Sequence, residues 1–326
     1  MAGGDMLRYL DAGGRALMRP DEPGAIPDSA VWVDLLDPDS EELVTAAGFV
    51  GVGLPTRADM EEIEASSRTY REGEARIMTA TLVSAAGREM PQDGPVSFVL
   101  NANRLVTVRY HEPRPFDSYL ARLGRRTDEP CSGADVLTGL LETIIDRSAD
   151  ILEEAGAGLE TISQELFTSR ATKKSAQVTE VYDDLLTRTG LIANRVGKVQ
   201  QSLLSLNRVL GFARLQDDAT IENERLDIVR EDLKSLIEQE GYLNNKVAFL
   251  LDATLGFISS AQNSIINLFS VIAVIFLPPT LVASIYGMNF EIMPELDWMF
   301  GYPYALALMA VVAIGPFLFF KRMNWL

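Results

Sequence analysis

The hydrophobic pattern changes period along the chain, and each change marks a different kind of element. Up to about residue 127, apolar residues gather in short runs rich in β-branched side chains. Residues 31–36, 76–83, 96–100 and 105–110 read as strands. Asp37-Pro38 closes the first run and Ser40-Glu41-Glu42 opens a helix, while Asn101-Ala102-Asn103-Arg104 separates the last two runs as a hairpin-like turn. Antiparallel strands with intervening helices fit this arrangement, and one such helix follows Pro55 and contains Asp59 to Glu64. From Ser132 onward the spacing becomes helical, with Leu137, Leu141, Ile144, Ile145 and Leu152 recurring every three to four residues. Helices are predicted over 134–168, 175–212 and from 220 onward, with Gln216 to Ala219 as the break before the third. No proline lies between Thr220 and Leu277, so the third helix is expected to run unbroken to Tyr286, about 100 Å at 1.5 Å per residue.

Two stretches near the C-terminus lose all charge. Ala253 to Phe290 holds no charged residue for 38 positions, and Tyr302 to Phe320 holds none for 19 before Lys321 and Arg322 close it. A helix of about 20 apolar residues crosses a bilayer core. The loop between the two spans carries Glu291, Glu295 and Asp297 and no Lys or Arg. Since basic residues mark the cytoplasmic side, the loop is expected outside and both termini in the cytoplasm, in a multi-pass protein of the cytoplasmic (inner) membrane. Met1 to Pro20 has no apolar core of signal-peptide length. The expected organisation is an α+β cytoplasmic domain (1–127), a helical hairpin (128–219), a long α-helical stalk (220–264), two C-terminal transmembrane helices (265–286 and 302–320), an extracytoplasmic loop (287–301) and a basic tail (321–326).

The formal charge of −17 argues against nucleic acid as a partner, because phosphate binding needs clustered Lys and Arg. Acidity most often serves solubility; its functional counterpart is a surface that attracts hard divalent cations. One cysteine, Cys131, and one histidine, His111, leave little for a soft-metal site, so any metal would be handled by oxygen, which favours Mg²⁺. No Gly-x4-Gly-Lys-Ser/Thr motif is present, so neither ATP nor another organic cofactor is expected, and the chain does not read as an enzyme.

Within the first span Asn263, Ile266, Ser270, Ala273, Leu277, Thr280 and Ser284 follow alternating spacings of three and four, the seam that turns one stripe of a helix toward a bundle axis. The stripe is polar at its ends and apolar in the middle, with Phe269 beside it. A pore lining gated by dewetting has this character, and so does close packing of membrane helices through small residues. Pro278 and Pro279 remove two backbone donors and invite a bend, which serves either gating or nothing beyond what neighbouring helices compensate.

Tyr286-Gly287-Met288-Asn289-Phe290, then Met293-Pro294-Glu295-Leu296, Gly301-Tyr302-Pro303 and Phe320-Lys321-Arg322-Met323-Asn324-Trp325-Leu326 together resemble the CorA family of divalent cation channels in order, spacing and C-terminal position. The resemblance implies a funnel-shaped homopentamer in which five first spans line a Mg²⁺ pore. Gly287, Met288 and Asn289 would form the selectivity filter. Gly287 is expected to turn tightly through backbone angles closed to other residues, Met288 to pack that turn, and the Asn289 amides to hydrogen-bond an ion that keeps its waters. Asn263 would repeat such a ring at the cytoplasmic mouth. Multiplied by five, Glu291, Glu295 and Asp297 would concentrate cations outside, with the solvated loop as the plain reading, and Asp252 would ring the inner exit. The acidic pair Glu61 and Glu62, facing Glu231 and Asp232 of a neighbouring copy, would hold a regulatory Mg²⁺. Members also pass Co²⁺ or Ni²⁺. Two other readings stand beside this one: a Zn²⁺ transporter of the same superfamily, and a membrane-tethered oligomeric sensor or scaffold without transport. Membrane lipids and divalent ions are the expected partners.

Overall fold

The computed structural model describes residues 7–20, 26–62, 64–84, 92–125, 132–172, 175–213, 221–288, 293–294 and 298–323. It separates into two compact units, Met1–Phe167 with Leu185–Leu251, and Thr168–Asp184 with Asp252–Leu326.

The first unit is built on six strands: β1 (Leu7–Asp11), β2 (Ala30–Leu36), β3 (Thr69–Glu72), β4 (Ala75–Ser84), β5 (Gln92–Asn101) and β6 (Arg104–Arg109). They form one sheet in the order β1-β2-β6-β5-β4-β3. The four β-branched runs are β2, β4, β5 and β6. The short polar strands β1 and β3 escaped the sequence pattern; both lie at sheet edges, where one neighbour suffices and burial is partial. An all-antiparallel arrangement is corrected at one place: β2 runs parallel to β6, with Asp34 level with Thr107. The other neighbours are antiparallel, and Ala102, at φ 48°, turns the chain between β5 and β6.

Helix α1 (Ser40–Val50) starts where the acidic tripeptide predicted it. Asp39 accepts hydrogen bonds from the amides of Glu41 and Glu42, Glu42 reaches back to the Asp39 amide, and Gly51 ends the helix at φ 76°. The Glu42 carboxylate also accepts from the Leu7 amide, fixing the start of β1. α1 lays Ala46, Phe49 and Val50, and α2 (Arg57–Glu61) lays Met60, on one face of the sheet against Val33, Leu35, Val99, Val106 and Val108. A short helix, α3 (Ala65–Arg68), leads into β3.

On the opposite face Trp32 meets Phe116 and Tyr119 of α4 (Arg114–Leu123), with ring centroids 6.4 and 5.9 Å apart. Beside them lies a buried polar network. Asp34 takes both oxygens to Arg109 (3.0 and 2.8 Å) and also accepts from Arg8 and Thr107 at 2.8 Å, while Thr107 accepts from the Trp32 indole at 3.0 Å. Burial alone would raise the Asp34 carboxyl. The Arg109 hydrogen bonds and charge, aided by Arg8 and Thr107, outweigh burial and hold it below the usual aspartate range.

Three long helices follow: α5 (Gly133–Thr172), α6 (Ser175–Ala213) and α7 (Ile221–Tyr286). Their bounds lie close to the predicted ones, and α7 is continuous through Pro278 and Pro279. The break at Gln216 to Ala219 lies outside the described residues. α5 begins hard against the β5–β6 turn. Ser132 caps the Asp135 amide, the Gly133 amide donates to the Asn103 carbonyl, and a side chain at Gly133 would sit 2.6 Å from the Leu105 nitrogen. Within the first unit the helices are tied by Arg188–Glu165 (2.6 Å), by the two-pronged Arg225–Glu142 pair (2.9 and 3.0 Å) and by Lys246–Glu160 (2.7 Å).

Candidate functional site

The second unit contains the distal part of α7 and α8 (Gly301–Arg322). Both helices are long and apolar enough to cross a membrane, with mean hydropathies of 2.3 and 2.0 in their most apolar stretches. Nearly all of this surface is unshielded within the chain, as a bilayer-facing or assembly-facing surface must be. Between Asn263 and Tyr286 the shielded positions of α7 are Val271, Ile275, Pro278, Pro279, Val282 and Tyr286, which share one face. Asn263, Ile266, Ser270, Ala273, Leu277, Thr280 and Ser284 are all exposed on the other side, roughly 150° around the helix at 3.6 residues per turn. The chain therefore covers the back of the stripe and leaves the stripe itself open.

Two hydroxyls of the stripe are oriented by the helix. Ser270 donates to the Ile266 carbonyl and Thr280 to the Leu277 carbonyl, both at 2.8 Å. With their protons committed, these oxygens offer lone pairs, which suit the hydrogens of an ion's water shell. Leu277 and Phe269, 65 % and 66 % exposed, supply the apolar middle.

At the end of α7 one expectation is corrected. Gly287 does not occupy the left-handed region; its amide donates to Ala283 at 3.0 Å, and a side chain there would press to 3.2 Å from that same carbonyl oxygen. The space beside the last helical turn is tight at this position, and no unusual backbone angle is used. Met288 is 48 % exposed within the single chain. Asn289, Glu291, Glu295 and Asp297 lie outside the described residues. Trp298 meets Phe300 edge-on and Tyr304 at a tilt, with centroids 6.1 and 5.9 Å away, an aromatic group of the kind that sits at a membrane interface. Lys321 and Arg322 occupy the last turn of α8, where they also complement the helix dipole.

The acidic candidates of the first unit are surface groups. Glu61 pairs with Arg57 at 3.1 Å, and Glu62 caps α2 with its carbonyl accepting from Arg68. Glu231 lies 3.7 Å from Lys234. Asp232 instead lines a cleft of about 260 Å³ between α5 and α7, together with Arg122, Glu142, Asp146 and Arg225. Burial raises the Asp146 carboxyl; Arg122 opposes this, and Glu142, Asp150 and Asp232 reinforce it. Asp146 was missed in the sequence, although Glu142, Asp146 and Asp150 at four-residue spacing form a visible acidic stripe on α5. Asp252 is exposed. Among the described residues of a single chain, no three His, Cys, Asp or Glu side chains converge to hold a metal ion. His111 lies against Gly94 and its Nε2 is 3.3 Å from the Leu82 carbonyl, a structural position in the sheet.

An α/β body with three long helices, two C-terminal helices of membrane-spanning length and a Gly-Met-Asn sequence between those two defines a class of membrane transporter. The family described as CorA-like Mg²⁺ transporter protein matches residues 27–322. The chain is 37 % identical over 309 residues to the magnesium transport protein CorA of Sodalis glossinidius, covering 94 % of this chain and 95 % of that one. It is 36 % identical to the protein of the same name from Escherichia coli K12, over 91 % and 92 % of the two chains. The complete structure of the CorA magnesium transporter from Methanocaldococcus jannaschii superposes over the full length of both chains with a TM-score of 0.76 at 18 % identity. The chain belongs to the CorA family.

Proposed function

We propose that this protein is a Mg²⁺ channel that also passes Co²⁺ or Ni²⁺, assembled as a funnel-shaped homopentamer in the cytoplasmic membrane with both termini in the cytoplasm. The observation that carries this reading is the open stripe on α7, polar at its ends and apolar at Leu277, facing away from the side of the helix that the chain itself shields. Five such stripes around an axis give a pore whose Asn289 amides contact a hydrated ion at the outer end and whose apolar middle closes by dewetting. Earlier on α7, Ile228, Tyr242 and Phe249 are 64 %, 58 % and 57 % exposed, at separations of 14 and 7 residues, in the same heptad register as Ser270 and Leu277. Exposed apolar residues repeating in that register favour neighbouring copies along the helix.

Flux runs down the electrochemical gradient, and Mg²⁺ is the transported ion and the regulator. Glu291, Glu295 and Asp297 gather cations outside and Asp252 does so at the inner exit. Cytoplasmic Mg²⁺ bridges Glu61 or Glu62 of one copy to Glu231 or Asp232 of the next and holds the pore shut. Because those carboxylates do not converge within one chain, the proposed site requires two copies. Purified protein in liposomes loaded with a Mg²⁺-sensitive dye tests the reading. Mg²⁺ entry well above that of empty liposomes is expected; an assembled oligomer that admits none would mark a scaffold.

A further inference from the structure

One buried carboxyl in the helical bundle has no part in conduction or in the acidic surface. Glu240 of α7 is 4 % exposed within the single chain, so its surroundings are set by the chain itself and not by a neighbouring copy. Its Oε2 accepts a hydrogen bond from the Gln200 side chain of α6 at 3.2 Å. Its Oε1 is buried without a hydrogen-bond partner among the described residues. A buried carboxylate with one neutral donor is poorly compensated, and an unpaired buried charge is among the most costly groups a bundle can hold.

The charged groups at this level of the neighbouring helices have other counter-charges. On α6, Arg195 lies 4.0 Å from Glu154 of α5 while its Nε is buried without a hydrogen-bond partner among the described residues, and Lys198 pairs with Asp93 of β5. On α5, Glu153 faces solvent and Glu154 also lies 4.0 Å from Arg147. On α7 itself, Glu238 is exposed and Lys246 bonds Glu160. Burial is accordingly the main influence on the Glu240 carboxyl and pushes it up, while the Gln200 hydrogen bond offsets only part of that.

We propose that Glu240 is a proton-operated latch of the α5–α6–α7 bundle: with its proton the carboxyl packs α7 against α6, and without it an uncompensated charge loosens that contact. The sign follows from the upward displacement. The latch is fully closed below the ordinary glutamate value of 4.5 and weakens as pH rises toward and through the displaced value. Loosening would fall on α7, the helix that carries the proposed pore stripe, but the latch does not depend on what that stripe conducts.

Hydrogen–deuterium exchange of the full-length protein in nanodiscs, between pH 5 and 9, tests it directly. Glu240→Gln keeps the shape and removes the titration. In peptides covering 233–247 and 196–206, the ratio of wild-type to Glu240→Gln exchange rate is expected to climb with pH by up to about tenfold per unit, the linkage limit for one proton. It should then level off. Gln200→Leu, which removes the hydrogen bond favouring the ionised form, should extend that climb to higher pH. A ratio constant with pH, or an unaltered profile in Gln200→Leu, would overturn the latch. The readout is backbone protection, so it stands or falls separately from Mg²⁺ flux.

Discussion

Asp34 shows how much of this molecule rests on single buried polar groups. Its side chain is fully buried, as is nearly all of Arg109, and the pair is completed by Arg8, Thr107 and the Trp32 indole through Thr107. Replacing Asp34 by Asn would leave the Arg109 guanidinium, stacked 4.6 Å above the Phe116 ring, without its counter-charge. Breaking a buried pair in this way costs about 3–5 kcal/mol. Asp34→Asn is therefore expected to lower the thermal midpoint of the purified protein by several degrees at neutral pH. Because the Asp34 carboxyl is held below its ordinary value of 3.8, its contribution is complete above that value and fades as pH falls through the depressed one. Below about pH 4 the wild type should lose this advantage and the two melting curves should converge; a constant gap down to pH 2 would contradict the assignment. In the sequence Asp34 was only one residue of a strand run. The parallel pairing that sets it level with Thr107 joins residues 73 positions apart, which no local pattern reveals.

At the scale of elements the long periodic segments were the most legible. α5, α6 and α7 came from apolar spacing, and α7 is continuous because a run of residues without proline leads into an apolar one. The four buried strands were legible through their β-branched content, whereas β1 and β3, short and polar at the sheet edges, were not. The stripe on α7 was read from spacing alone, and it lies exposed opposite the face that the chain shields. Its apolar middle makes a specific demand. If Leu277 rings narrow and dry the closed pore, Leu277→Ser should raise the basal current through reconstituted channels at least severalfold under inhibiting Mg²⁺. Closed-state current equal to wild type would assign the stripe to helix packing instead.

The whole molecule joins a large acidic body to a small apolar unit, and regulation on this account is a property of the assembly. Asp232 lies beside Asp146 in a cleft of its own chain, and Glu61 and Glu62 lie exposed elsewhere. Sequence could nominate these carboxylates but not say which of them meet, since that depends on how copies pack. If Mg²⁺ bridges them only in the closed state, it shifts the gate by its difference in affinity for the two states. A swing from 99:1 closed to 1:99 takes roughly 5.5 kcal/mol, which several weak sites can share. Replacing Glu61 and Glu62 together by Gln should move the inhibition curve to higher cytoplasmic Mg²⁺ in patch recordings while permeation persists; an unmoved curve would place the sensor elsewhere. Conduction on the proposed reading depends on Asn289 amides meeting the hydrated ion at the outer mouth. Mg²⁺ entry is therefore compared in liposomes holding equal amounts of wild-type or Asn289→Ala protein, with assembly checked by sedimentation. Entry near that of empty liposomes is expected for an Asn289→Ala oligomer of normal size, and entry at the wild-type rate would rule out that role for Asn289.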